Sequence, residues 1–180
     1  MLIIRASWHN NISALISYII FSLGLMVLYT MSSIYHGLKP SKAKNVLEIL
    51  DHSSIYFLIA ASYTPFLILG LHSNMGVGML IIQWVICAFG IIFKAFFTGK
   101  FKGISTIIYL LMGWMIVISW NELVANISPI SLGFLVTGGI LYSLGTIFYM
   151  WKLCKFNHMI WHIFVVLGSL SHYIAIWFLI

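Results

Sequence analysis

The chain has 180 residues, 62% of them hydrophobic and 7% charged, with a formal net charge of +6. Soluble domains carry roughly 25% charged residues, so this sequence has too little polar material to cover the outside of a soluble fold. The basic excess does not argue for nucleic acid, because lysines in so apolar a chain mark cytoplasmic loops.

Long apolar runs recur from Ile12 to Ile180, and a bilayer core needs about 20 apolar residues per helix. The stretch Met1 to Trp8 lacks the layout of a cleaved signal peptide. Six spans are predicted, at roughly Ile12 to Tyr35, Leu50 to Leu71, Val77 to Phe97, Ile104 to Trp120, Ile130 to Trp151 and His158 to Ile180. The expected fold is an all-α integral membrane protein, a polytopic helix bundle in one domain over residues 1–180. Short connections make consecutive helices antiparallel neighbours.

The lysines give the orientation. Lys39, Lys42 and Lys44 follow the first span, Lys94, Lys100 and Lys102 lie around the end of the third, and Lys152 and Lys155 follow the fifth. All fall on one side, which the positive-inside rule makes cytoplasmic. Both termini are then expected outside, in the plasma (inner) membrane, with only Arg5 dissenting. Trp8, Tyr35, Trp120, Trp151 and Trp177 sit near span ends, where interfacial aromatics belong. The pairs Ala60/Thr64 and Gly139/Ser143 have the four-residue spacing that favours close helix packing. Pro65 is expected to kink the second span. Cys87 and Cys154 fall at different depths and read as free thiols.

Ionisable groups at membrane depth are expensive and mark functional sites. His36 closes the first span, with Ser32 one turn deeper on the same face. Asp51 opens the second span, and His158 and His162 open the sixth. Positions i and i+4 share a helix face, so the last two can grip one metal, and zinc is the usual occupant of such a pair. Three separate helices thus deliver His, Asp and His-x-x-x-His to one leaflet, and the orientation argument did not use these residues. Three neutral imidazoles with an open fourth position make a catalytic-type zinc site, lowering the pKa of a bound water toward about 7. Asp51 can accept a proton from that water, orient it, or ligate the metal directly. Ser32 can hydrogen-bond the water or a developing oxyanion.

Each residue also has a plainer role. His36, His158 and His162 can be interfacial, Asp51 can cap its helix, and Ser32 can bond back to its own helix. Those roles do not require a shared depth. His52 points about 100° away from Asp51 and reads as a loop contact or a residue behind the site. His172 lies about 15 Å along the axis from His162. His9 and His72 lie on the outer side. None of these four is read as a ligand. Glu122 reads as solvated at an outer connection.

The motifs Ser32-Ser33-Ile34-Tyr35-His36, Leu50-Asp51-His52-Ser53-Ser54-Ile55-Tyr56 and Tyr63-Thr64-Pro65-Phe66 resemble the bacterial hemolysin III family. So do Tyr109-Leu110-Leu111-Met112-Gly113-Trp114 and His158-Met159-Ile160-Trp161-His162-Ile163-Phe164-Val165, with Gly168-Ser169 and His172 behind. That family is the bacterial branch of the progestin and adipoQ receptor group, within a superfamily of membrane hydrolases that includes the alkaline ceramidases. The resemblance implies seven helices and a zinc site near the cytoplasmic face. Its ligands would be His36, His158 and His162, with Ser32 and Asp51 beside the bound water. Six spans are read here, so the family's first helix is expected to be missing.

The function expected is zinc-dependent hydrolysis of a lipid amide or ester, with the bilayer as the source of substrate. The alternatives are a membrane sensor or regulator with structural zinc, and a haemolysin. Six permanent spans and no separable amphipathic segment make the last the weakest on physical grounds.

Overall fold

The computed structural model describes residues 1–8, 11–151 and 155–179. Among these there is helix and loop but no strand. Six helices are long and apolar enough to cross a membrane. They follow the six expected spans, although the end of the last one at Ile180 lies outside the described residues, as do His9, Lys152 and Cys154. The chain forms two compact units, Met1–Phe101 and Lys102–Ile180.

The first unit holds α1 (Leu2–Trp8), α2 (Ile12–Gly37), α3 (Lys42–Pro65) and α4 (Asn74–Phe97). Asn11 caps α2 by accepting from the Ala14 N–H at 2.9 Å. Ser41 caps α3 by accepting from the Lys44 N–H at 3.2 Å. α3 therefore starts eight residues before the apolar run at Leu50. Lys42-Ala43-Lys44 and Leu47-Glu48 are good helix formers, so a polar lead-in extends the helix beyond its hydrophobic part. Past Pro65 the chain continues as a π-type turn, Phe66–Gly70. Proline donates no backbone hydrogen bond, and the expected kink takes the form of this widened helix.

α3 packs on α2 on one side and on α4 on the other. A Cβ on Gly24 would come 2.7 Å from Ala61 Cβ, and one on Gly90 would come 2.5 Å from two Tyr56 ring carbons. Both glycines permit approaches that no other residue allows. The Trp84 indole N–H donates to Thr64 Oγ1 at 3.3 Å, and the Trp84 ring stands edge-on to Phe57 at 5.6 Å. Away from these contacts α2 and α4 present Met26, Ile81 and Phe89 outward, as lipid-facing surfaces should.

The second unit holds α5 (Lys102–Trp114), α6 (Trp120–Asn126), α7 (Pro129–Met150) and α8 (Asn157–Trp177). A 3-10 segment, Met115–Ser119, joins α5 to α6, and the whole stretch Lys102–Asn126 makes one apolar span. The fourth span thus runs six residues past Trp120. Glu122, expected in an outer connection, instead lies half-buried in the first turn of α6, where a carboxylate complements the helix dipole. Ser128 caps α7, with Pro129 at the first helical position.

α7 and α8 pack closely. Side-chain positions at Gly138, Gly145 and Gly168 are filled by the His172, Trp161 and Tyr142 rings of the opposite helix. Three hydrogen bonds made by hydroxyls cross the same contact. Ser131 Oγ donates to the Ala175 carbonyl at 2.8 Å, Ser128 Oγ donates to the Phe178 carbonyl at 3.0 Å, and the Tyr142 and Ser169 hydroxyls lie 2.8 Å apart. The pair Gly139/Ser143 serves another partner. Ser143 Oγ accepts from the Trp114 indole at 2.9 Å, so this face receives α5.

Candidate functional site

Within the second unit, the first turns of α8 are tied to the end of α7. Asn157 Nδ2 donates to the Phe148 carbonyl at 3.2 Å and also to the Trp151 carbonyl. Trp161 is buried, with its ring 5.0 Å from Tyr149 and its six-membered ring against Gly145. This anchoring leaves His158 exposed and His162 half-buried on the neighbouring face. Their Nε2 atoms lie 3.0 Å apart, with the rings at 87°. Two nitrogens each about 2.0–2.1 Å from a tetrahedral zinc sit about 3.3 Å from one another. The pair is thus set close to the separation that shared ligation needs.

Within the first unit, Ser32 and His36 lie one turn apart near the end of α2. Ser32 is buried at the end of a continuous buried stripe formed by Ser17, Phe21, Gly24 and Leu28, whereas His36 is exposed and meets the Tyr35 ring edge-on at 4.7 Å. Asp51 sits half-buried, nine residues inside α3. The capping role open to it from sequence is filled by Ser41 instead. The Asp51 carbonyl accepts from Ser54 Oγ at 2.6 Å, and the Asp51 and Glu48 carboxylates both act electrostatically on Tyr35.

Helix register brings Ser32 and Asp51 to one level. Gly24 packs against Leu58 and Ala61 in an antiparallel pair. Eight residues along α2, about 12 Å, reach Ser32, and eight back along α3 reach residues 50–53. The first unit thus carries Ser32, His36 and Asp51 at one end of the α2–α3 pair, and the second unit carries His158 and His162 at the start of α8.

The other histidines have separate surroundings. His52 Nδ1 lies 2.7 Å from the Glu48 carbonyl of its own helix. His172 is buried, packed on Gly138 and edge-on to Tyr142 at 5.3 Å. His72 is exposed after the π-type turn, beyond the opposite end of α3 from Asp51. Cys87 is a free, buried thiol. One residue was not singled out from sequence. Lys94, grouped there with the loop lysines, is 2% exposed within α4. A signal was present, since Lys94 falls at the helical spacing of Cys87 and Gly90 on one face.

This is a multi-pass helical membrane protein with histidines near the end of α2 and the start of α8. Residues 1–173 match the profile of the family described as Haemolysin-III related, and the chain belongs to that family. It is 43% identical over 177 residues to the Hemolysin-3 homolog of Bacillus subtilis (strain 168), covering 98% of this chain and 83% of that one. It is 40% identical to Hemolysin-3 of Bacillus cereus, covering 99% and 81%. The human monocyte to macrophage differentiation factor is 32% identical over 167 residues, covering 88% and 68%. No solved structure gives a significant match.

Proposed function

We propose that the protein is a zinc-dependent hydrolase of lipid amides or esters. His36, His158 and His162 would hold the zinc, each through one ring nitrogen, at the cytoplasmic side of the membrane. The observation that carries this reading is the 3.0 Å separation of the His158 and His162 Nε2 atoms. Neutral imidazole is a common zinc ligand, and three such donors leave a position open for chemistry. Zinc, when bound, supplies a Lewis acid and an acidified water.

The rest falls to the chain. Asp51 lies at the level of Ser32, where its carboxylate accepts a proton or orients the attacking water. The Ser32 hydroxyl donates to the oxygen that gains charge in the transition state. The anchored first turns of α8, through Asn157 and Trp161, hold the two histidines in place without spending conformational freedom at each turnover. Substrate arrives from the bilayer, and the lysine-rich connections face the cytoplasm.

The test is bound metal in the purified chain by elemental mass spectrometry, beside the double variant His158→Ala, His162→Ala. The expected result is near-stoichiometric zinc that disappears in the folded variant, followed by fatty-acid release from a lipid panel. Metal-loaded protein that releases no fatty acid from that panel, while a control hydrolase does, overturns the reaction. A closed, water-free zinc would then make the site a structural one in a membrane regulator. The names of the bacterial relatives favour one further reading, lysis of other membranes. Lysis by purified protein that is unchanged in His162→Ala would select it.

A further inference from the structure

Lys94 sits three residues before the end of α4, yet its side chain is covered, at 2% exposed. A lysine near a membrane surface normally lays its stem along apolar neighbours and keeps its ammonium in water. Lys42, Lys100, Lys102 and Lys155 are exposed in this way. Lys94 is not, and no carboxylate among the described residues acts on it. A buried ammonium left without an anion is costly, and lysines inside membrane spans mark functional sites.

Contacts within the first unit place it. Gly90, one turn earlier on the same face, packs on Tyr56, and Gly99 lies at Glu48, with Glu48 Oε1 3.9 Å from a Cβ built there. Interpolating between these two contacts puts Lys94 level with His52 and Ser53 of α3. Ser53 is buried, and its hydroxyl has no hydrogen-bond partner among the described residues. Ser53 shares a face with Tyr56, three residues on. This is the face that α4 packs against. A covered lysine with no carboxylate acting on it and a buried hydroxyl without a partner among the described residues thus stand at one level of α3 and α4. Asp51 and Ser32 stand at that same level, around the other side of α3.

We propose that Lys94 and Ser53 form a binding site for an oxyanion, the carboxylate or phosphate group of a lipid ligand, beside the reaction centre. Only the assignment of the ligand to a lipid rests on the hydrolase reading. The ammonium and the hydroxyl are two donors at one level, and a charge-assisted hydrogen bond is roughly twice as strong as a neutral one.

The experiment measures thermal unfolding of the full chain in neutral detergent against increasing oleate, dioleoyl phosphatidic acid, inorganic phosphate or, as a neutral control, dioleoylglycerol. Stabilisation by the anions and not by the diacylglycerol is expected. The affinity should fall about tenfold in Lys94→Met, the loss of one hydrogen bond to a charge, and persist in Lys94→Arg. Ser53→Ala should weaken it several-fold, and it decides the matter should Lys94→Met not fold. Stabilisation by inorganic phosphate alone identifies a free anion as the ligand of the same site. Equal affinity in wild type and both truncating variants overturns the proposal, as does wild type unmoved by every anion. Zinc content and the His158→Ala, His162→Ala variant separate the two readings. Anion binding that persists in that variant leaves this site standing if the hydrolase reading fails.

Discussion

Replacing Gly90 with alanine tests the packing that fixes α4 against α3. The new Cβ would lie 2.5 Å from two Tyr56 ring carbons and 2.7 Å from a third. Ordinary carbon contacts begin near 3.5 Å, so the helices must part by about 1 Å or the ring must turn. Tyr56 is fully buried, and the crowded atoms include the ring carbon nearest its backbone, so turning gives little relief. Overpacking of this kind costs about 1–3 kcal/mol. Moving α4 outward also strains the Trp84–Thr64 hydrogen bond, already at 3.3 Å, for about a further 0.5–1.5 kcal/mol. Removing a glycine from a helix interior returns about 0.5–1 kcal/mol, which leaves a net loss of roughly 1–3 kcal/mol. The assay is equilibrium unfolding in mixed micelles at rising fractions of denaturing detergent, followed by helical circular dichroism. Gly78→Ala is the control, because nothing lies within 4 Å of a Cβ built at Gly78 on the same helix. That variant should be as stable as wild type or slightly more so. Equal stability of Gly90→Ala and Gly78→Ala would refute the reasoning.

Further outcomes follow from other contacts. Ser131→Ala removes a buried bond from α7 to the Ala175 carbonyl of α8 and should cost about 1 kcal/mol in the same unfolding assay without altering metal content. Ser41→Ala removes the α3 cap and should also cost about 1 kcal/mol. Asp51→Asn should leave unfolding within about 0.5 kcal/mol of wild type, as for a residue away from packing and caps. Lipid hydrolysis should nevertheless fall at least about a hundredfold, the usual worth of a positioned acid or base. A large stability loss in Asp51→Asn would return that residue to a structural role. Removing zinc with a chelator should abolish lipid hydrolysis, and adding zinc back should restore it in wild type but not in His158→Ala, His162→Ala.

The spans were legible because lipid leaves a helix few alternatives. Every backbone polar group must be satisfied within the segment, so a long apolar run already specifies a helix. Helix starts were less legible, for a reason that α3 makes plain. Hydropathy marks where the chain enters the apolar layer, near Leu50, but the helix begins where Ser41 satisfies its first N–H groups. The eight intervening residues are polar and helical together, and no apolar period reports them. The same error made a cap of Asp51 look available. Once the helix starts at Lys42, a carboxylate nine residues in has no capping to do.

Helix contacts were harder still, because spacing does not say which face meets which neighbour. Gly139/Ser143 has the right interval, yet it receives the Trp114 indole, while Gly138 and Gly145 carry the close approach to α8. Rotation by one residue, about 100°, separates the two outcomes, and only the positions of His172 and Trp161 decide between them. Lys94 shows the same limit from the opposite side. By composition it is one more basic residue near a lysine-bearing loop. By register it shares the buried face of Gly90, whose missing side chain lets α4 settle against Tyr56. The close contact that seats the helix also carries its lysine out of water. A lysine covered there by packing, opposite a serine hydroxyl without a partner among the described residues and level with Ser32 and Asp51, is the arrangement from which the oxyanion site is proposed.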